Sequence, residues 1–292
     1  MMAAAALSLL AAASLPKAAS ADNYAWVLFG STTLGDLDLS TTHGHDYSEV
    51  TLANGVVGLG ELNSNADDLY GLSAAGALYG INGLTGAETY EGGGSSGITF
   101  IDFGSTINGL FAIATNGDLY SIGLNGSETD IGATGLGTVT RNIGMGLSTG
   151  NSTLYFTNMI SSSEEDFYSV NTSTGALVLE GTIQSGLKKT DILTVGGMAE
   201  VANELFAAAN TGLGSHQSSW TITPGTPCSG QCTTTYNAEI LPNNKHAVTG
   251  MALGEASSAP LVPEPSEWAL MLAGVGAVGG MMRLRRHKEV QA

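Results

Sequence analysis

Positive charge is what this chain has least of. It carries 9 Lys and Arg against 26 Asp and Glu, a formal net charge of −17. Five of those cations sit in the end segments, as Lys17, Arg283, Arg285, Arg286 and Lys288. Between residues 22 and 260 only Arg141, Lys188, Lys189 and Lys245 remain. A body this acidic repels phosphate backbones, so nucleic acid is excluded as an expected partner. Charge of either sign is scarce, at 12% of residues, so the i,i+4 ion pairs that lace surface helices have little to draw on.

Catalytic and metal-binding signatures are missing too. There is no H-E-x-x-H helix and no phosphate loop. Only two cysteines occur, Cys228 and Cys232 in PCSGQC, too few for a disulfide-rich scaffold. In an exported chain the pair is expected to form one small disulfide ring. A zinc site needs two more ligands, and only His216 and His246 lie near in sequence. His43-Gly44-His45-Asp46 has the wrong spacing for a metallo-hydrolase cluster and reads as a turn. Asn63-Ser64-Asn65-Ala66-Asp67-Asp68 places oxygens at alternate positions, as calcium loops do, but lacks their Gly and Glu. No cofactor and no metal is expected; calcium at this loop is the alternative.

Glycine is abundant, at 41 residues, and apolar residues reach 43%. That composition suits many short strands joined by tight turns around a real core. The strands repeat. Aromatic-bearing pairs recur as DDLYGL and GALYGI, NGLFAI and GDLYSI, STLYFT and EDFYSV, NELFAA and SSWTIT. A further apolar strand precedes each pair, and an alternating strand follows it (AETYEG, SETDIGA, ALVLEGTI, TTYNAEI). Four strands per unit of about 40–50 residues is the period of a propeller blade.

The N-terminal AWVLFGS, GDLDLS and YSEVTLA read as a blade without its first strand. HAVTGMALGE reads as a first strand without followers. Joined, they predict a five-bladed β-propeller over about residues 23–256, closed by pairing the N- and C-terminal strands in one blade. Such closure removes the exposed edges of an open sheet. The pattern resembles the loosely defined NHL- and YVTN-like repeat propellers, a resemblance that implies fold and not activity. A β-solenoid or a sandwich is the alternative. Tyr70, Tyr79, Phe111, Tyr120, Tyr155, Tyr168 and Phe206 are expected between blades. Trp220, beside a long irregular insert, is the candidate ligand contact.

The ends carry addresses. Residues 3–15, AAAALSLLAAASL, form a short apolar run, and Ala19-Ser20-Ala21 fits a signal-peptidase site with cleavage between Ala21 and Asp22. Residues 1–21 are thus expected to be a signal peptide and 22–256 the body. At the other end, after a linker over 257–261, Trp268 to Met282 is an apolar run expected to form a single hydrophobic helix. At about 1.5 Å per residue it covers about 22 Å, short of an about 30 Å hydrocarbon core. Arg283, Arg285 and Arg286 follow as a stop that stays cytoplasmic. Val262-Pro263-Glu264-Pro265-Ser266, the apolar run and the Arg-rich end together resemble the PEP-CTERM sorting segment of Gram-negative bacteria. The resemblance covers residues 262–292. It implies transient anchoring in the inner membrane, processing by an exosortase at Pro263, Glu264 and Pro265, and release to the cell surface or extracellular matrix.

Two readings of the body remain at this level. One is a non-enzymatic structural or binding module for extracellular polysaccharide or envelope proteins. The other is a carbohydrate-active hydrolase using Glu61 and Asp102, each eight residues before the Leu of its aromatic strand. Equal offsets predict equal places on neighbouring inner strands lining a channel, as paired carboxylates require. A cation-dependent adhesin is a third possibility.

Overall fold

The computed structural model describes residues 23–38, 49–62, 69–139, 145–149, 153–161, 164–184, 193–201, 204–211, 217–222, 234–241 and 248–255. The chain divides into two units, Met1–Glu255 and Ala256–Ala292, and the second lies outside the described residues. Every regular element among the described residues is a β-strand.

Strands β1 (Asn23–Phe29), β2 (Thr33–Asp38) and β3 (Glu49–Thr51) form a meander, and β20 (Val248–Glu255) pairs antiparallel with β1. The expected union of the two chain ends in one sheet is therefore present, with Trp26 opposite Ala252 and Val27 opposite Met251. A second sheet runs β4 (Gly58–Glu61), β5 (Leu69–Leu72), β6 (Ala77–Ile81) and β7 (Glu88–Gly93). A third runs β8 (Phe100–Thr106), β9 (Gly109–Ala114), β10 (Asp118–Ile122) and β11 (Glu128–Ala133). The fourth has eight strands. Half of it is the meander β12 (Met145–Thr149), β13 (Leu154–Ser161), β14 (Glu164–Val170) and β15 (Leu177–Gln184). The other half is β16 (Leu193–Val201), β17 (Glu204–Thr211), β18 (Gln217–Ile222) and β19 (Thr234–Leu241). The halves meet where β12 and β16 pair in parallel at Ser148–Met198 and Thr149–Ala199. This is an all-β propeller; neither solenoid coils nor a two-layer sandwich describes these meanders.

The first strands of the meanders approach one another backbone to backbone. A Cβ added at Gly58 on β4 would collide with the Phe103 main chain on β8. One added at Gly104 on β8 would lie 2.5 Å from the Ser148 carbonyl on β12. At Gly146 on β12 it would lie 2.9 Å from the Gly197 nitrogen on β16. At Gly197 it would meet Gly250 and Met251 on β20, and at Gly250 it would lie 3.2 Å from the Leu59 nitrogen on β4. The contacts return to where they began. Only residues without a side chain allow strands to pass this closely, and that explains part of the glycine excess.

Apolar side chains fill the space between successive sheets. Trp26, Leu28, Leu34, Leu59, Leu69 and Ile81 join the first sheet to the second. Phe100, Phe103, Leu110 and Tyr120 join the third to the second. Phe111, Ile113, Leu147 and Phe156 continue the series, followed by Phe167, Val195, Met198 and Leu205. Ala25, Val27, Phe29, Val248 and Met251 close it against Ala199 and Ala208. Each expected interblade aromatic is buried or packed half-buried against one of these clusters. Full burial of such a side chain contributes about 1.5–3 kcal/mol.

The third and fourth strands of four units share one irregularity, which the β2–β3 pair lacks. The register slips between Leu78 and Tyr79, Leu119 and Tyr120, Phe167 and Tyr168, and Ser219 and Trp220. The extra residue on the outer strand is Glu91, Ile131, Glu180 or Asn237 in turn. A repeated bulge of this kind twists the outer edge.

Filling the hub should be costly. Gly104→Val must displace the Ser148 main chain, and is expected to lower stability by at least about 1–3 kcal/mol. Gly109→Ala meets only ordinary contacts, the nearest at 3.7 Å, and should change stability by less than about 0.5 kcal/mol. Urea unfolding of both variants checks the contrast.

Candidate functional site

Glu61 and Asp102 are both buried, each 2% exposed. They do not share a register. Glu61 lies opposite Leu69, whereas Asp102 lies opposite Ile113; the residue opposite Leu110 is Ser105. The equal sequence offset misleads because the loop between β4 and β5 is longer than the two-residue turn, Ile107 and Asn108, between β8 and β9. The true counterpart of Glu61 is Ser105, whose Oγ accepts a hydrogen bond from the Glu61 main-chain nitrogen at 2.9 Å. The counterpart of Asp102 is Gly58, opposite Leu72. The two carboxylates thus stand about 10 Å apart in height along their strands, at about 3.3 Å per residue.

Asp102 is committed to the scaffold. Its Oδ1 accepts from the Phe103 nitrogen at 2.8 Å, and its Oδ2 accepts from the Leu147 nitrogen on β12, also at 2.8 Å. The same device recurs where sequence reasoning found nothing. Glu165 on β14 is fully buried, and both its oxygens accept from the Val195 nitrogen on β16, at 2.8 and 3.0 Å. Burial pushes its carboxyl well above the usual range, and the Val195 hydrogen bond pulls the other way by less. Nearby, Asp166 accepts from the Tyr168 hydroxyl at 2.9 Å and from Thr182 Oγ1 at 3.2 Å. Burial first, and Asp166 second, push the Tyr168 phenol up to about 12. Glu165 opens the expected strand EDFYSV, but nothing in the sequence marked it as buried.

A polar cleft opens elsewhere, on the outer part of the second sheet. It has a volume of about 240 Å³ and is lined by Tyr70, Gly80, Ile81, Asn82, Ala87, Thr89 and Glu91. Tyr70, Gly80 and Thr89 lie side by side across β5, β6 and β7. Glu91 is the bulged residue, and its Oε1 lies 3.0 Å from where a Gly80 Cβ would stand. Asn82 Oδ1 is held by the Thr85 nitrogen and hydroxyl, both at 3.0 Å, which fixes the orientation of its amide.

Trp220 takes the register position on β18 that Tyr79, Tyr120 and Tyr168 take in their units, beside the bulge. Ala21, Asp22, His43, His45, the loop at 63–68, Cys228, Cys232, Pro263, Glu264, Pro265, Arg283, Arg285 and Arg286 lie outside the described residues. Among the described residues, no group of three His, Cys, Asp or Glu side chains is placed to hold a metal ion.

No protein family model matches this chain, and no curated protein matches it. Solved structures resemble it at low sequence identity. A chain of a nidogen/laminin complex is 11% identical, with 80% of this chain and 98% of that one covered at a TM-score of 0.48. TolB from Acinetobacter baumannii is 11% identical, with 76% and 54% covered at 0.43. The β-propeller domain of Cps50 (Swd1) from Myceliophteria thermophila is 16% identical, with 76% and 70% covered at 0.38.

The raised Glu165 carboxyl has a signed consequence. A group whose folded pKa exceeds its unfolded value contributes stability at low pH and loses it as pH rises through the folded value. Relative to Glu165→Gln, which keeps an acceptor for Val195 but does not titrate, the unaltered chain should lose stability as pH rises above about 4.5. Thermal unfolding of both across that range measures the difference.

Proposed function

We propose that this chain is an exported, five-bladed propeller that serves as a non-enzymatic binding or structural module in the envelope or extracellular matrix. The five-blade count is supported by the return of the inner-strand contacts from β20 to β4 and by core clusters between successive sheets. On this reading the eight-stranded sheet is two blades joined by the short β12–β16 pairing.

The observation that carries the non-enzymatic reading is the fate of Asp102. A general acid or nucleophile needs an oxygen that reaches the reacting bond. Both Asp102 oxygens instead accept main-chain hydrogen bonds in a site 2% exposed. The partners proposed are extracellular polysaccharide or envelope proteins, because a propeller presents rigid loops and sheet edges to large ligands. The acidic surface favours neutral or cationic ligands over anionic ones.

Delivery is assigned to the two end segments. The resemblance of residues 262–292 to the PEP-CTERM segment supports recognition by an exosortase, with Gram-negative cell-surface or matrix localisation after transient inner-membrane anchoring.

Two measurements check this. The chain mixed with polysaccharide from the producing bacterium should run in the polymer peak on a sizing column, leaving the polymer length unchanged; separate elution would remove polysaccharide as partner, and shortening would restore the hydrolase. In an exosortase-bearing host, replacing Pro263, Glu264 and Pro265 by Ala should leave the chain membrane-associated with its tail retained, as read by immunoblots against each end. Normal release of that variant would refute the sorting assignment.

A further inference from the structure

Four of the units can be compared at one position of their second and third strands. On the second strand of four successive units stands an aromatic residue: Tyr70, Phe111, Tyr155 and Phe206. Opposite it on the third strand stand Gly80, Ser121, Ser169 and Thr221, respectively. Three of the four are hydroxyl residues, and only the second sheet has glycine there.

The fourth sheet shows the consequence of a hydroxyl at this position. Ser169 donates to Glu180 Oε1 at 2.6 Å, and Glu180 is the bulged residue of its outer strand. Glu91 is the bulged residue of the second sheet and leans over Gly80 in the same way. The carboxylate is kept, but the hydroxyl that it would accept from is gone. The space left by the missing side chain is continuous with the cleft between Tyr70, Asn82, Thr89 and Glu91.

We infer that this cleft is a saccharide subsite in which a sugar hydroxyl takes the place of the missing serine hydroxyl on Glu91. The inference rests on the binding-module reading and deepens it by assigning a site and a ligand class. Adjacent hydroxyls of a pyranose match the two oxygens of one carboxylate, and such charge-assisted hydrogen bonds are the strong ones. Thr89 and the oriented Asn82 amide supply further hydrogen-bonding groups, and Tyr70 supplies an amphipathic wall with a polar tip. The flat floor of Gly80 lets a ring lie against the strand. The volume of about 240 Å³ falls below the roughly 300–1,000 Å³ of sites for drug-sized ligands, so one hydroxylated ring fits it best. A cation is disfavoured: calcium takes about 6–8 oxygens, and Glu91 is the only carboxylate lining the cleft. An anionic sugar is disfavoured by the same Glu91.

Gly80→Ser tests this without harming the fold. The new side chain meets only the far end of Glu91, and it recreates the Ser169–Glu180 pair within the cleft. Saturation-transfer NMR of the full chain with methyl glucoside, methyl galactoside and methyl mannoside at millimolar concentration should show binding of at least one. That signal should fall at least tenfold in Gly80→Ser, whose unfolding midpoint should equal or exceed the parent's, and should weaken in Glu91→Gln. Polysaccharide from the producing bacterium is run in parallel. Loss of polymer binding in Gly80→Ser supports the subsite even where none of the three glycosides binds. Equal polymer binding by parent and Gly80→Ser overturns the subsite and leaves the module reading standing. Failure of the parent to bind polymer or glycoside overturns the subsite and removes polysaccharide as the module's partner. Glycoside binding that chelator abolishes overturns the direct contact with Glu91 in favour of a bridging cation.

Discussion

Everything in this propeller depends on strand backbones passing one another at van der Waals distance. Gly58, Gly104, Gly146, Gly197 and Gly250 make that approach possible, one on each inner strand. A side chain at any of them would hold two sheets apart. The apolar clusters between those sheets would then open, because close-packed interiors do not stretch to accommodate a gap. The hub is therefore a steric requirement before it is an energetic one. Its narrowness also explains why carboxylates near it turn to the backbone: Asp102 and Glu165 each reach across to a main-chain nitrogen of a neighbouring inner strand. Charge there fastens one sheet to the next.

Much of this architecture was legible because periodicity survives sequence drift. LYGL, LFAI and LYFT announce the same strand three times, and their aromatics lie between sheets as the pattern requires. The union of AWVLFGS with HAVTGMALGE was legible for a different reason: each fragment lacked what the other had. Counting residues failed at Glu61 and Asp102. A hairpin fixes register from its turn, so unequal loops shift which residues stand level even when linear offsets agree. The burial of Glu165 was invisible, since it opens the expected strand EDFYSV and a carboxylate at a strand start is ordinarily solvent-facing. The cleft at Gly80 was hidden too, because one more glycine among 41 carries no signal until strand pairing shows which hydroxyl it replaces.

The repeat separates what is structural from what is particular. Aromatics at the Tyr79, Tyr120 and Tyr168 positions recur, so their role belongs to the fold, and Trp220 shares their register. Departures point the other way. A position where three units carry a hydroxyl residue and a fourth carries glycine is free of the packing that enforced the agreement. Function in such proteins is best sought where the units disagree.

The pairing of β1 with β20 also sets an order of events. The Thr249 hydroxyl donates to the Gly30 carbonyl, a contact between residues 219 apart in sequence. Synthesis delivers one partner first and the other last, so the first sheet waits with an open edge until nearly the whole body has emerged. Contacts of such separation slow folding, and an unpaired edge in the interval invites association with other chains. The joint between β1 and β20 is therefore the point at which the nascent protein is most exposed to misassembly.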